Sequence, residues 1–313
     1  MGNNEAGPRY TEATSWNKTA ASNRGWPVWK GSFVIARISG ALARGILVAL
    51  LVATPALMLP DVITDSSQIT MLVALLACFL TFIEYYGKYP SIIEFREAAP
   101  FNRLRFTSLA ATVLVLTMIL QGKTDPTAMT GALTSIGTII GNAMDFPYSP
   151  VRMIVLMLPE NSDQGLIASV RTSAGMAYLI SLVSMAAFLI LVRAMNWPAR
   201  KGAFNVWVNL PLFDPTAGGD VIYRLQRDAR INIALGFLLP FLIPAVVKAA
   251  ADLIDPITLQ NPQTQIWTVA AWAFLPASII MRGIAMGKIA DMIEEKRRRA
   301  YAADTNEQAF QPA

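Results

Sequence analysis

Residues 68–86 read QITMLVALLACFLTFIEYY, an apolar run whose single charged side chain is Glu84. A helix crosses the hydrocarbon core of a bilayer with about 20 predominantly apolar residues. Lipid offers no hydrogen-bond partner to open backbone groups, so a run of this length and composition predicts a transmembrane helix. The chain is therefore expected to be an integral membrane protein rather than a water-soluble globular protein.

Five further segments have the same character, and the six together predict an all-α, polytopic membrane protein. The other predicted spans are Val34–Leu59, Arg105–Gln121, Ala174–Ala194, Ile231–Lys248 and Ile266–Met286. The composition agrees, because 15% of the residues are charged against about 25% in soluble domains. The predicted organisation is a cytoplasmic N-terminal segment (1–32), a six-helix membrane domain (33–286), and a cytoplasmic basic helix with a disordered tail (287–313).

The distribution of basic residues predicts the orientation of the six spans. Cytoplasmic loops of membrane proteins carry an excess of Lys and Arg. Placing both termini in the cytoplasm assigns 22 of the 26 basic residues to the inner side. The sequence therefore predicts an N-in, C-in protein. The net charge of +5 is then explained by topology and by contact with anionic lipid, so no nucleic-acid partner is predicted.

The residue types that are missing limit the chemistry of the chain. It contains no histidine and a single cysteine, Cys78. Without histidine there is no HExxH motif, no Ser-His-Asp triad and no histidine-ligated haem. One thiol cannot form a thiolate metal site, and phosphate-binding glycine loops are also missing. No catalytic residue, metal ligand or cofactor is predicted, and a non-enzymatic protein is favoured.

Cations recur every seven residues at the start of the first span, at Lys30, Arg37 and Arg44. On a helix this spacing places them near one face. They could be interfacial side chains that reach the lipid headgroups. They could also form a basic groove for an anionic lipid or a phosphate substrate. Arg37 and Arg44 are therefore candidate functional residues, and anionic lipids of the cytoplasmic leaflet are predicted partners.

Glu84 is the one acidic residue within the predicted spans, and ionisable groups in membrane helices mark functional sites. Its place near the cytoplasmic end of the second span predicts a partner in Arg103 or Arg105, across the short loop that follows. Within that loop, Ser91–Ala99 is predicted to form a short in-plane helix that ends at Pro100. A proton-coupled carrier would need an acidic group deeper than Glu84.

The predicted external segment, 122–173, is too long for a simple connector. It contains an apolar, small-residue run over 131–144, in which Gly137 and Gly141 have the GxxxG spacing that permits close helix contact. A Pro-Tyr-Ser-Pro turn separates this run from a second, shorter one at 151–158. Two arrangements remain open: a cap lying on the outer leaflet, or a re-entrant hairpin.

Three functions follow from these features. The leading hypothesis is a protein that supports a membrane-protein assembly or an envelope process, with a protein partner or a second copy of itself. It predicts an exposed groove of small residues. The alternative is a transporter or channel for a small solute or lipid, with a polar cavity lined by the first, fifth and sixth spans. A membrane enzyme would instead cluster the outer carboxylates Asp145, Glu160 and Asp163.

The compartment is predicted from processing signals. The N-terminal residues are polar and show no cleavable signal peptide, and neither disulfides nor lipidation motifs are found. Together these features predict a multi-pass protein of a bacterial inner membrane.

Overall fold

The computed structural model describes residues 30–59, 64–194, 197–198, 205–214, 218–250 and 259–309. Within these ranges the regular structure is entirely helical. The helices are α1 (Lys30–Met58), α2 (Thr64–Tyr86), α3 (Phe101–Gln121), α4 (Ala128–Met144), α5 (Pro150–Leu156), α6 (Gln164–Ala194), α7 (Val206–Asn209), α8 (Val221–Ala250) and α9 (Pro262–Ala309). Six of them, α1, α2, α3, α6, α8 and α9, are long and apolar enough to cross a membrane. The prediction of an all-α chain with six such helices is confirmed.

The helices extend beyond the predicted spans. α6 begins at Gln164 rather than Ala174, α8 at Val221 rather than Ile231, and α9 continues to Ala309. Hydropathy identifies only the apolar part of a helix that can lie in lipid, whereas the helix itself continues for several turns of more polar residues. The extension of α9 covers most of the tail that was predicted to be disordered.

α9 lies at the centre of the bundle and packs against α8, α6 and α3. Its buried side chains include Ile266, Trp272 and Met281. The Trp272 indole donates a hydrogen bond of 2.9 Å to the carbonyl oxygen of Pro240 in α8. That carbonyl has no helical donor, because the residue four positions on is Pro244, which lacks an N–H. The carbonyl that Pro244 leaves free therefore supports the packing of α8 against α9.

α4 crosses α6 at glycines, as the GxxxG spacing predicts. A Cβ atom built on Gly141 would lie 2.7 Å from the Arg171 carbonyl oxygen, and one on Gly175 would lie 2.5 Å from the Gly141 Cα. Gly137 of α4 faces Thr172 of α6. The small-residue surface is therefore covered within the chain and is not the exposed groove that the assembly hypothesis predicts.

The same contact favours the cap over the re-entrant hairpin. α6 has 31 residues and is about 46 Å long at 1.5 Å per residue, which exceeds the roughly 30 Å hydrocarbon core. α4 meets α6 at residues 171–175, at or before the start of the apolar run 174–194. This position corresponds to the outer end of the predicted span.

α1 and α2 form a hairpin at the edge of the bundle. A Cβ atom on Gly45 would lie 2.8 Å from the Cys78 carbonyl oxygen, so the two helices are in close contact there. α2 is the least buried of the six long helices. The hairpin meets the rest of the bundle mainly through α1 and α3. This limited contact leaves space between the hairpin, α3 and the connection from α2 to α3.

Candidate functional site

The connection between α2 and α3, residues 87–100, is an ordered loop of turns rather than the predicted in-plane helix. The backbone N–H groups of Ser91, Ile92 and Ile93 donate to the Glu84 carboxylate at 3.0, 3.0 and 3.2 Å. Phe95 is buried with a positive φ of 53°, a conformation that a helix does not contain. The predicted pairing of Glu84 with Arg103 or Arg105 is wrong, because the loop backbone satisfies this carboxylate.

A buried ion pair fixes the loop to the bundle. Arg282 of α9 donates to Glu94 through Nε at 2.6 Å and Nη2 at 2.8 Å, and through Nη1 to the Asn232 Oδ1 at 3.0 Å. Glu94 is 7% exposed, so water contributes little to its solvation. Beside it, Phe95, Phe101 and Trp197 form an aromatic cluster. These contacts give the loop one defined conformation next to the hairpin.

Two adjoining cavities lie between the loop and the hairpin. The first, here called the basic vestibule, has a volume of about 410 Å³. Its walls are Ala36, Arg37, Gly40, Ala41, Arg44, Tyr85, Lys88, Arg96 and Glu97. Four cations and one carboxylate therefore surround this space. Arg37 and Arg44, which are seven residues apart on α1, line this cavity together with two cations of the loop, Lys88 and Arg96.

The second cavity, here called the apolar chamber, has a volume of about 420 Å³. It is lined by α1, α2, the loop and α3, and its apolar walls include Leu47, Val48, Phe95 and Phe106. The two cavities share Gly40, Arg44, Tyr85 and Arg96 as lining residues. Leu47 is half exposed on the outer surface of α1, so the chamber adjoins the side of the bundle that would face lipid.

The vestibule cations bind backbone carbonyls and aromatic rings rather than carboxylates. The Gly87 carbonyl accepts from Arg37 at 3.0 Å and from Arg96 at 2.7 Å, at the C-terminal end of α2, where a helix attracts cations. The Arg44 guanidinium lies 4.7 Å from the centre of the Tyr85 ring. Within the described ranges, no carboxylate lies within salt-bridge distance of Arg37, Arg44, Lys88 or Arg96. Their charge is therefore available to an anion.

The carboxylates that were predicted to lie outside do not form a catalytic arrangement in the part of the chain that the structure describes. Asp145 pairs with Arg152 at 2.9 Å and with Arg171 at 2.7 Å, which joins the end of α4 to α5 and α6. Asp163 accepts from the Gly165 N–H at the start of α6. Among the described residues, no group of three acidic, histidine or cysteine side chains is suited to hold a metal ion.

The Lys123 amine lies partly buried just beyond the C-terminal end of α3. Its Nζ donates to the Ser169 Oγ at 2.6 Å, and Ser169 also contacts Gln265. Burial lowers the pKa of Lys123, because a less polar environment disfavours the charged form. This network joins α3, α6 and α9 and is explained by packing.

The predicted site residues thus fall into two groups. Arg37, Arg44 and Glu84 lie around the vestibule and its loop, whereas Gly137 and Gly141 form the contact between α4 and α6. Sequence reasoning missed Arg96 and Lys88 as site residues. It counted both only as loop charges, because their position depends on a loop conformation that no local pattern encodes.

The geometry suits an amphiphile, with an anionic group among the vestibule cations and an apolar part in the chamber. Comparisons with known proteins neither add to this nor contradict it. The chain matches no family model, and no curated protein or solved structure shows significant similarity to it.

Proposed function

We propose that this chain is a non-enzymatic inner-membrane protein that binds an anionic membrane lipid at the basic vestibule and the apolar chamber. One observation carries the proposal: four cations without carboxylate partners surround a cavity that adjoins an apolar one at the edge of the bundle. Guanidinium groups are well matched to phosphate oxygens. Ligand cavities of roughly 300–1,000 Å³ are usual for small molecules, and each of these two is within that range.

The N-in, C-in orientation is part of the proposal, since it puts the vestibule at the depth of the cytoplasmic headgroups. There, anionic lipids attract Lys and Arg. In a Cys78→Ser background, a cysteine at Ser66 should react with a membrane-impermeant maleimide in intact spheroplasts. A cysteine at Thr305 should react only after permeabilisation. The reverse labelling pattern would contradict this orientation.

Lipid binding is tested by native mass spectrometry of protein extracted in mild detergent with phosphatidylglycerol and phosphatidylcholine. We expect the wild-type protein to retain phosphatidylglycerol selectively. The double variant Arg37→Gln/Arg44→Gln should retain about tenfold less, because charge-assisted hydrogen bonds to phosphate are lost.

The matched control is Arg193→Gln/Arg230→Gln, which removes two exposed cations, one in the last turn of α6 and one in the N-terminal third of α8. It should retain lipid as the wild type does, because neither residue lines the cavities. Equal loss in both double variants would mean that general surface charge holds the lipid, and the proposed site would be abandoned.

A lipid-holding role is compatible with support of an assembly or envelope process, and a stoichiometric protein partner in the same spectra would favour it. Carrying lipid across the membrane is the second candidate, and it is less well supported. Its predicted polar cavity between the first, fifth and sixth spans is not where the two cavities lie, since the loop and three consecutive helices, α1, α2 and α3, line them.

A further inference from the structure

We propose that the ligand of the vestibule is a phosphate amphiphile whose headgroup carries at least two negative charges. This rests on the proposed function and specifies its ligand class. A phosphate monoester lipid and a lipid with two phosphodiesters share this property. A singly charged diester such as phosphatidylglycerol does not.

The charges around the vestibule carry the inference. Arg37 and Arg44 come from α1, and Lys88 and Arg96 come from the loop. Like charges around one cavity repel one another, and an anion of higher charge relieves more of that repulsion. Glu97, the one carboxylate of the wall, is exposed and offsets only part of the positive charge.

The chamber adds the requirement for an apolar tail. Arg103 of α3 lies at its wall together with Leu47 and Phe106, so a fifth cation stands beside the path from headgroup to tail. A free phosphate would use the cations and leave this apolar surface uncovered. An amphiphile fills both cavities at once, because they share Gly40 and Arg44.

The absence of histidine makes the headgroup chemistry measurable. A phosphate monoester gains its second charge with a pKa near 6, whereas a phosphodiester keeps one charge over the same range. The ionisable groups of the walls are the cations, Tyr85 and Glu97, and Glu84 lies behind the wall, bound to the loop backbone. The chain has no histidine, the side chain that ordinarily titrates between pH 5 and 8. A change in binding over that range therefore reports on the ligand.

The experiment measures competition for the site in nanodiscs of phosphatidylcholine that contain one test lipid each. There are three test lipids. Phosphatidate is a phosphate monoester, cardiolipin contains two phosphodiesters, and phosphatidylglycerol contains one. At pH 7.5 we expect the affinity for phosphatidate and for cardiolipin to be at least about tenfold higher than the affinity for phosphatidylglycerol. From pH 5.5 to 7.5, the advantage of phosphatidate should grow while that of cardiolipin stays constant.

Variants assign the preference to the vestibule. Lys88→Gln removes a cation whose ammonium group rests near the Tyr89 ring, so it leaves the loop hydrogen bonds intact. It should lower the preference for the doubly charged lipids over phosphatidylglycerol several-fold, whereas Arg193→Gln should not.

Equal affinity for phosphatidylglycerol, phosphatidate and cardiolipin would overturn the inference and leave the proposed lipid site standing. If inorganic phosphate displaced phosphatidate at a similar concentration, the requirement for an apolar tail would be overturned. Failure of every anionic lipid to bind better than phosphatidylcholine would remove the proposed function itself.

Discussion

Replacing Glu94 by glutamine should destabilise the protein by about 3 kcal/mol, the lower end of the range for breaking a buried ion pair. The change keeps the shape of the side chain but leaves the Arg282 guanidinium without its carboxylate. The lower end applies because the Arg282 side chain keeps 28% of its surface exposed. Thermal unfolding in detergent, followed by size-exclusion chromatography, measures the effect.

A matched control separates burial from charge. Glu295→Gln removes a carboxylate from a salt bridge with Arg299 on the exposed end of α9, where ion pairs contribute little. Its melting temperature should stay near that of the wild type. The double change Glu94→Leu/Arg282→Met should recover much of the lost stability, since apolar residues can replace a buried pair. Equal melting temperatures for Glu94→Gln and Glu295→Gln would refute the anchoring role of Glu94.

Adding a single carbon at Gly175 should have the next largest effect. Its Cβ would lie 2.5 Å from the Gly141 Cα and 2.7 Å from the Gly141 nitrogen. Backbone atoms cannot rotate away as a side chain can, so α4 and α6 must separate. We expect Gly175→Ala to cost at the upper end of the roughly 1–3 kcal/mol typical of overpacking. Loss of melting temperature in the same assay measures this cost.

The control for this change is another glycine of α4. Nothing lies within 4 Å of the Cβ position on Gly131, so Gly131→Ala gains helix propensity without a clash. Gly137→Ala should fall between the two, because its closest contact is a side-chain atom, the Thr172 Cγ2, rather than backbone. A Gly175→Ala protein as stable as Gly131→Ala would show that the helices do not cross at Gly141.

Much of the fold follows from the sequence because lipid imposes a strict rule on long apolar runs. Five of the six predicted spans lie within one of the long helices, and the first, Val34–Leu59, runs one residue past the end of α1. The GxxxG spacing at Gly137 and Gly141 also predicted a close helix contact, although the partner helix could not be read from it. Only the structure identifies α6 as the helix that α4 contacts, because Gly175 lies in a different apolar run that has no GxxxG motif.

The site was predictable in part. The spacing of Arg37 and Arg44 placed two cations on one helical face, which is a local property of the chain. The positions of Lys88 and Arg96 depend on how Glu84 binds the loop backbone and how Arg282 binds Glu94. Arg282 and Glu94 are far apart in sequence, and composition does not encode which acid a given arginine will meet. The loop was therefore wrongly predicted to be a helix.

The central claim, that an anionic lipid occupies the two cavities, is tested most directly by photocrosslinking. A phosphatidate with a diazirine on one acyl chain would be irradiated with the protein, and the labelled peptides mapped. Labels should concentrate at 40–48 and 81–106, the sequence ranges that line the chamber. Gly40→Phe should abolish them, because it adds a ring at the wall shared by both cavities, and the Cβ atom itself would meet only the end of the flexible Arg44 side chain. Labels spread over the outward faces of all six helices and unchanged by Gly40→Phe would contradict the account.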